Sequence, residues 1–526
     1  MISKIRQGGI KGKSRNYSEF LLDMDDDIVD APTIKDGTPP GSLAHSDNTM
    51  FILYPNGWKE KNNDQTNVSL HYESLLNALI NKSLINEFYN EDLTYVGPYT
   101  FSYFKKLKKV HLPNVTEISS RSFVHNESLE EVILESITEI PDCAFSDYYG
   151  PIPEIYPINA NYRNKCRNAL KKIYTPNATS IGNYAFLNCT AMTDISLPNA
   201  TSIGNYAFYY CGSLTNINLP NATSISNSAF WNCINLKNIS LPNITSMDNY
   251  AFGLCSKLKN INLPNITSIG TQTFYSCTSL ESIDLPSVTS ISNYAFYKCI
   301  SLKDVNLSNA TSIGDFAFYS CTSLESIDLP NATSIGSYAF CTCTNLANIS
   351  LPNATNNIKT YAFYNCTSLT DVSLPNVTNI GAYAFSDCTS LESIDLPNAT
   401  SIGAGAFPYC SSLIEINIPN VTSIGNNAFN GCSNLKLINA RAVKSITTST
   451  FRNMASLESI YLKSCTTIAK NSFNGNTNPK DIYLPNAQNT YTNAPWGAVN
   501  ATIHYECEFN EDGIPLELLE EQEEGE

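Results

Sequence analysis

Positive charge is scarce in this chain of 526 residues: 32 lysines and arginines face 48 aspartates and glutamates, a formal net charge of −16. That balance excludes the basic footprint that nucleic-acid binding requires along the phosphates. Charged residues of either sign make up only 15% of the chain, so its polar surface has to come from Asn, Ser and Thr. Histidine is rarer still. The five are His45, His71, His111, His125 and His504, which leaves most of the chain without the commonest general base and metal ligand. No Walker loop, nucleophile elbow or His-Glu metal motif occurs, so no catalytic residue, metal ligand or cofactor is assigned. No stretch approaches the roughly 20 apolar residues of a membrane helix. The basic N-terminus lacks the apolar segment of a secretory signal, and the terminal EEGE is no lipidation or sorting box. The expectation is a soluble chain without membrane insertion.

Cysteine, by contrast, is plentiful, with 17 copies, but its spacing argues against disulfides. From Cys189 through Cys211, Cys233, Cys255, Cys277, Cys299 and Cys321 to Cys343 the interval is 22 residues; Cys366 follows after 23, then Cys388, Cys410 and Cys432 at 22 again. One thiol per unit at fixed register reads as a buried packing ladder, since free cysteine behaves as a small hydrophobe. Phenylalanine keeps the same count: Phe101, Phe123 and Phe145, then Phe186 to Phe340 in steps of 22, then Phe363 to Phe473 after one step of 23. About 17 repeats of 22–23 residues result.

Within residues 197–218 the large apolar positions are Leu197, Ile203, Phe208, Cys211, Leu214 and Ile217. No single period fits them, as expected for one coil of a solenoid. NINLP reads as a short strand ended by Pro220, ATSIG as a second extended segment, and NYAFYYC as one helical or 3-10 turn. A coil cannot bury its own apolar side, so stacking has to do it.

The pattern Leu-Pro-x-x-x-x-Ile-x-x-x-Ala-Phe-x-x-Cys-x-x-Leu-x-x-Ile resembles the BspA-type leucine-rich repeat of bacterial and protist surface proteins. The resemblance covers about 93–490. It implies a leucine-rich-repeat solenoid, a curved right-handed coil with a parallel strand ladder, and a role in adhesion or ligand binding. NAQNTYTNAPWGAVNATIHYECEF reads as the C-terminal cap, here placed at 491–507, before an acidic solvated tail, 508–526.

Residues 1–92 divide into a basic arm (1–22), a β-hairpin module (23–65) and a helical N-terminal cap (66–92). In the module, Gly41, Ser42, Ala44, Phe51, Tyr54, Asn56, Gly57 and Trp58 resemble a short module of bacteriophage structural proteins, with a turn at Pro55-Asn56-Gly57. That resemblance implies attachment to a virion structural protein through 1–92 and display on a virion surface, which would suit a chain with many unpaired thiols and no signal peptide. The partner would be a host-surface glycan or protein. A cell-surface adhesin and an intracellular scaffold are the alternative expectations. Homo-oligomerisation is left open.

Three surfaces are candidates for contact. Outward strand positions run from Asp194/Ser196 and Asn216/Asn218 to Glu415/Asn417, with Asp284, Asp328 and Asp395 as acidic points and Tyr461 and Tyr483 as aromatic ones. A second ridge carries Tyr184, Tyr206, Tyr250, Tyr294, Tyr338 and Tyr383. The third is an insertion, 146–172, where the Phe145–Phe186 step reaches 41 residues; its Tyr148, Tyr149, Tyr156 and Tyr162 are the favoured ligand contacts. Sequons such as Asn177, Asn199 and Asn331 recur with the repeat.

Overall fold

The computed structural model describes the backbone of residues 43–46, 49–54 and 57–60, and residues 87–146 and 169–523 apart from Asp92, Tyr99, Tyr103, Lys105, Asn356 and Pro479. It falls into two compact units, Met1–Asn262 and Leu263–Glu526.

In the first unit, β1 (Leu43–Ser46), β2 (Thr49–Tyr54) and β3 (Gly57–Glu60) form an antiparallel sheet. Tyr54 pairs with Gly57, the register of the hairpin expected at that turn. Ala44, Phe51, Tyr54 and Trp58 lie on these strands, whereas Gly41 and Ser42 lie outside the described residues. The rest of the unit is a stack of coils. Three-residue strands pair in parallel from Glu87–Tyr89 through Lys109–His111, Glu131–Ile133, Lys172–Tyr174, Asp194–Ser196, Asn216–Asn218 and Asn238–Ser240 to Asn260–Asn262. The ladder therefore begins inside the stretch expected to be a helical cap. Glu-Phe-Tyr alternates exposed, buried, exposed, and Phe88 packs edge-on against Phe101 at 4.9 Å, so a strand buries Phe88 where the cap was expected.

Each coil carries a second, two-residue strand, such as Ser202–Ile203, paired in parallel with Ser180–Ile181 and Ser224–Ile225. The expected helical turn between the strands is not a helix. Successive turns replace it, with left-handed residues four apart, as at Tyr206 (φ 56°) and Tyr210 (φ 62°). The reason is visible in the hydrogen bonds: Tyr206, Phe208 and Tyr210 donate their N–H groups to Asn227, Ala229 and Trp231 of the next coil. A helix would have turned those donors inward along its own axis.

The core repeats in the same way. Phe101, Phe123, Phe145, Phe186, Phe208, Phe230 and Phe252 stack face to face at 4.9–5.2 Å. Phe145 and Phe186 stay in contact across the long step, and Glu131–Ile133 stays in register with Lys172–Tyr174. The insertion is therefore narrower than expected, since Lys172 already belongs to the ladder.

The second unit repeats the coil. Its phenylalanine stack runs from Phe274 to Phe451 at 5.1–5.9 Å and continues, tilted, to Phe473 at 5.3 Å. Its last strand, Ala501–His504, pairs in parallel with Lys480–Tyr483, and Trp496 lies buried near Phe473. α1 (Leu516–Glu523) follows.

Candidate functional site

The repeat commits many of its polar side chains to holding coils together. Asn199, Asn221 and Asn243 donate their side-chain amides to the carbonyls of Pro176, Pro198 and Pro220 at 2.8–2.9 Å. Asn309, Asn353, Asn398 and Asn420 do the same in the second unit at 2.7 Å. The threonine two residues later donates to a threonine carbonyl of the preceding coil, as Thr201 does to Thr179 at 3.1 Å. Asn-x-Thr is thus a two-point clamp. At the sequons Asn177, Asn199 and Asn331, the nitrogen that a glycan would need is already bonded to the carbonyls of Glu135, Pro176 and Ser308.

The cysteines are equally committed. Cys211, Cys233 and Cys255 donate to the carbonyls of Phe186, Phe208 and Phe230 at 3.1–3.2 Å. Burial disfavours the thiolate and pushes these thiols well above their usual range. The tyrosine ridge is packed as well. Tyr184 stacks on Tyr206 at 5.1 Å, and Tyr294, Phe316, Tyr338, Tyr361 and Tyr383 form a column at 4.5–4.9 Å. Within the column each ring shields its neighbour's face, so it presents edges. The column ends at Gly405 (φ +57°), where a Cβ would come within 2.6 Å of the Tyr383 ring.

The outward face of the three-residue strands is different. In the first unit, Asn216, Ile217, Asn238, Ile239, Ser240, Asn260, Ile261 and Asn262 line a shallow depression of about 400 Å³. Strict register sets Asn216, Asn238 and Asn260 in one row and Asn218, Ser240 and Asn262 in another. Asn216 turns its amide to Thr215 at 3.2 Å. Among the described residues, the side chains of Asn218, Asn238, Ser240, Asn260 and Asn262 have no hydrogen-bond partner. Closer to the N-terminus the same face is paired within itself: Lys109 forms a salt bridge with Glu131 at 3.0 Å, and His111 is hydrogen-bonded to Glu135 at 3.1 Å.

In the second unit the face is acidic. Asp284 and Asp395 accept from the amides of Asn306 and Asn417 at 2.8 and 2.7 Å, and Asp328 stands exposed opposite Ser350. The three aspartates share a row but sit two or more coils apart. Among the described residues no group of three or more His, Cys, Asp or Glu is placed to hold a metal, and no described helix is long and apolar enough to cross a membrane.

Two expectations fail at the C-terminal end of this face. Tyr483 is only 5% exposed, because its ring stacks on His504 at 4.3 Å and meets Tyr461 edge-on at 5.3 Å; of the aromatic pair, Tyr461 is the more accessible. The tail is not solvated throughout. Asn439 donates to the carbonyl of Asp512 at 2.8 Å, Arg441 to Glu511 and to the Asp512 carboxylate at 3.2 Å, and Lys463 to Asn510 at 2.8 Å. His504 faces Asp481 at 3.1 Å and Glu517 of α1 at 3.4 Å. The sequence signal was present: Arg441 and Lys463 replace the proline that follows the strand in most coils. Tyr148, Tyr149, Tyr156 and Tyr162 lie outside the described residues.

A family model for the BspA type leucine rich repeat region (6 copies) matches residues 75–150, 157–265, 223–332, 311–436 and 400–496. Among solved structures, the chain is similar to a leucine-rich repeat protein from Bacteroides ovatus, with 28% identity and a TM-score of 0.50 over 76% of this chain and 93% of that one. A leucine-rich repeat protein from Eubacterium ventriosum matches at 22% identity and a TM-score of 0.35, over 59% and 83% of the two chains. A leucine rich cell surface protein from Faecalibacterium prausnitzii matches at 19% identity and 0.27, over 90% and 97%. No curated protein is matched.

Proposed function

We propose, for a chain that belongs to the BspA-type leucine-rich repeat family, adhesion or ligand binding without catalysis, exercised through the outward face of the three-residue strands. One observation carries this reading. Asparagines on the turns clamp coils, and Asn306 and Asn417 on the second unit's face pair with aspartates, whereas amides at 218–262 are left uncommitted around a depression. Exposed polar groups that do nothing for their own fold are the ones free to bind.

Membership of this family favours display on a cell surface. The phage-module resemblance at 23–64 gains nothing from the family match, which starts at residue 75, so virion attachment rests on Gly41, Ser42, Ala44, Phe51, Tyr54 and Trp58 alone. The ligand is a glycan or protein of a host surface. Beads coated with the full chain, tested for adherence to a panel of bacterial and epithelial cells, check the reading. Adherence should fall in the Asn238→Leu/Asn260→Leu double variant; adherence that is unchanged in it sinks the strand face as the working surface.

A second reading has its own observation. Between 281 and 417 the strands and the residues leading into them carry Glu281, Asp284, Asp304, Glu325, Asp328, Asp371, Glu392, Asp395 and Glu415, against Lys303 as the single cation. Such a face fits a basic partner, and capture of that partner would weaken steeply with salt.

A further inference from the structure

Resting on the strand face as the binding surface, we infer that the depression at Asn216–Asn262 takes an uncharged polysaccharide lying across the strands, one sugar ring to each coil. Three strands supply its lining, and their register is strict. Equivalent side chains therefore recur at the strand spacing of about 4.8 Å. An extended polypeptide advances only about 3.3 Å per residue, so it falls out of step with such a lattice. A 1,4-linked pyranose advances by nearly one strand spacing, and each ring meets the same pair of side chains.

The chemistry agrees with the spacing. A carboxamide both donates and accepts, as a sugar hydroxyl does, and no formal charge stands among the lining residues. The two rows lie two residues apart along each strand, about 7 Å. Between them runs the backbone of Ile217, Ile239 and Ile261, whose side chains turn inward and are only 5% exposed; this leaves a flat floor over which a ring can lie while its hydroxyl edges reach the amides. Lys237 and Lys259 lead two of these strands but are not part of the lining.

Calorimetric titration of the full chain tests this. The probes are β-1,4-linked oligosaccharides of glucose, N-acetylglucosamine and mannose in increasing length, with polygalacturonate and gelatin in parallel. Affinity for at least one neutral series should climb about tenfold or more until the oligosaccharide spans the three lining strands, then level off. Asn238→Leu/Asn260→Leu should abolish that binding with the melting temperature unchanged, and Asn306→Leu in the second unit should leave it intact. No binding of any neutral series, or affinity that does not grow with length, overturns the proposal. Binding of gelatin or polygalacturonate instead, lost in the same double variant, overturns the ligand class while keeping the surface. Cell adherence that survives the double variant overturns the surface itself.

Discussion

The two units use the same kind of coil and the same kind of core, yet their strand faces differ. In the first, over the three strands between Asn216 and Asn262, two rows of amides and a serine face outward, mostly unpartnered. In the second, carboxylates occupy the same positions, two asparagines are tied to them, and the C-terminal segment is hydrogen-bonded over the end of the face. Since phenylalanine stacks and cysteine ladders are alike in both, the difference is carried by side chains the fold does not need. Inward positions are fixed by packing; outward positions are free to specialise.

The largest expected effects should be shared by both units. Phe230→Ala and Phe363→Ala each remove a ring stacked on both sides and should each cost about 3–5 kcal/mol in denaturant unfolding. A much smaller loss in one unit would break the equivalence of the cores. Next comes a gain. Thr175 stands where other coils carry a leucine such as Leu197, and its buried hydroxyl has no partner. Thr175→Leu should stabilise by about 1–3 kcal/mol, seen as a raised midpoint.

Asparagine separates clamp from surface. Asn243→Ala loses the bond to Pro220 and should cost about 1 kcal/mol, whereas Asn260→Ala should stay within about 0.5 kcal/mol. Equal costs would mean that the depression is structural. Arg441→Ala/Lys463→Ala should leave global stability within about 1 kcal/mol but speed hydrogen exchange over residues 508–523; unchanged exchange would show that these cations do not hold the segment. The smallest effect is none at all. Burial pushes Cys432 up to about 12 and Cys233 well above its usual range. Because burial penalises the thiolate, alkylation near pH 8, where an ordinary thiol is partly ionised, should leave both unmodified until the protein unfolds. Rapid labelling of either by mass spectrometry would contradict the ladder.

Much of this was legible because period and burial coincide: Phe and Cys counted the coils, and Ile-Asn alternation placed the strands. The left-handed turns were not, since many of their residues, such as Tyr206, Lys298 and Thr342, have no preference for that conformation. The clamps were hidden because Asn-x-Thr also spells a glycosylation sequon. At the candidate site, the strand rows were readable as positions but not as partners, since Asn260 and Asn306 look alike until the neighbouring coil is known. Tyr483 misled because exposure was judged from strand alternation alone, whereas the ring of His504, from the following strand, covers it.

The unbroken stack from Phe145 to Phe186 has a consequence for how such a chain changes over generations. The long step leaves the contact between flanking coils undisturbed, and most coils offer similar clamps to whatever follows them. Unequal crossing-over between near-identical gene segments would therefore yield proteins that already fit together. Length can drift by whole coils, and only the outward letters need be selected anew.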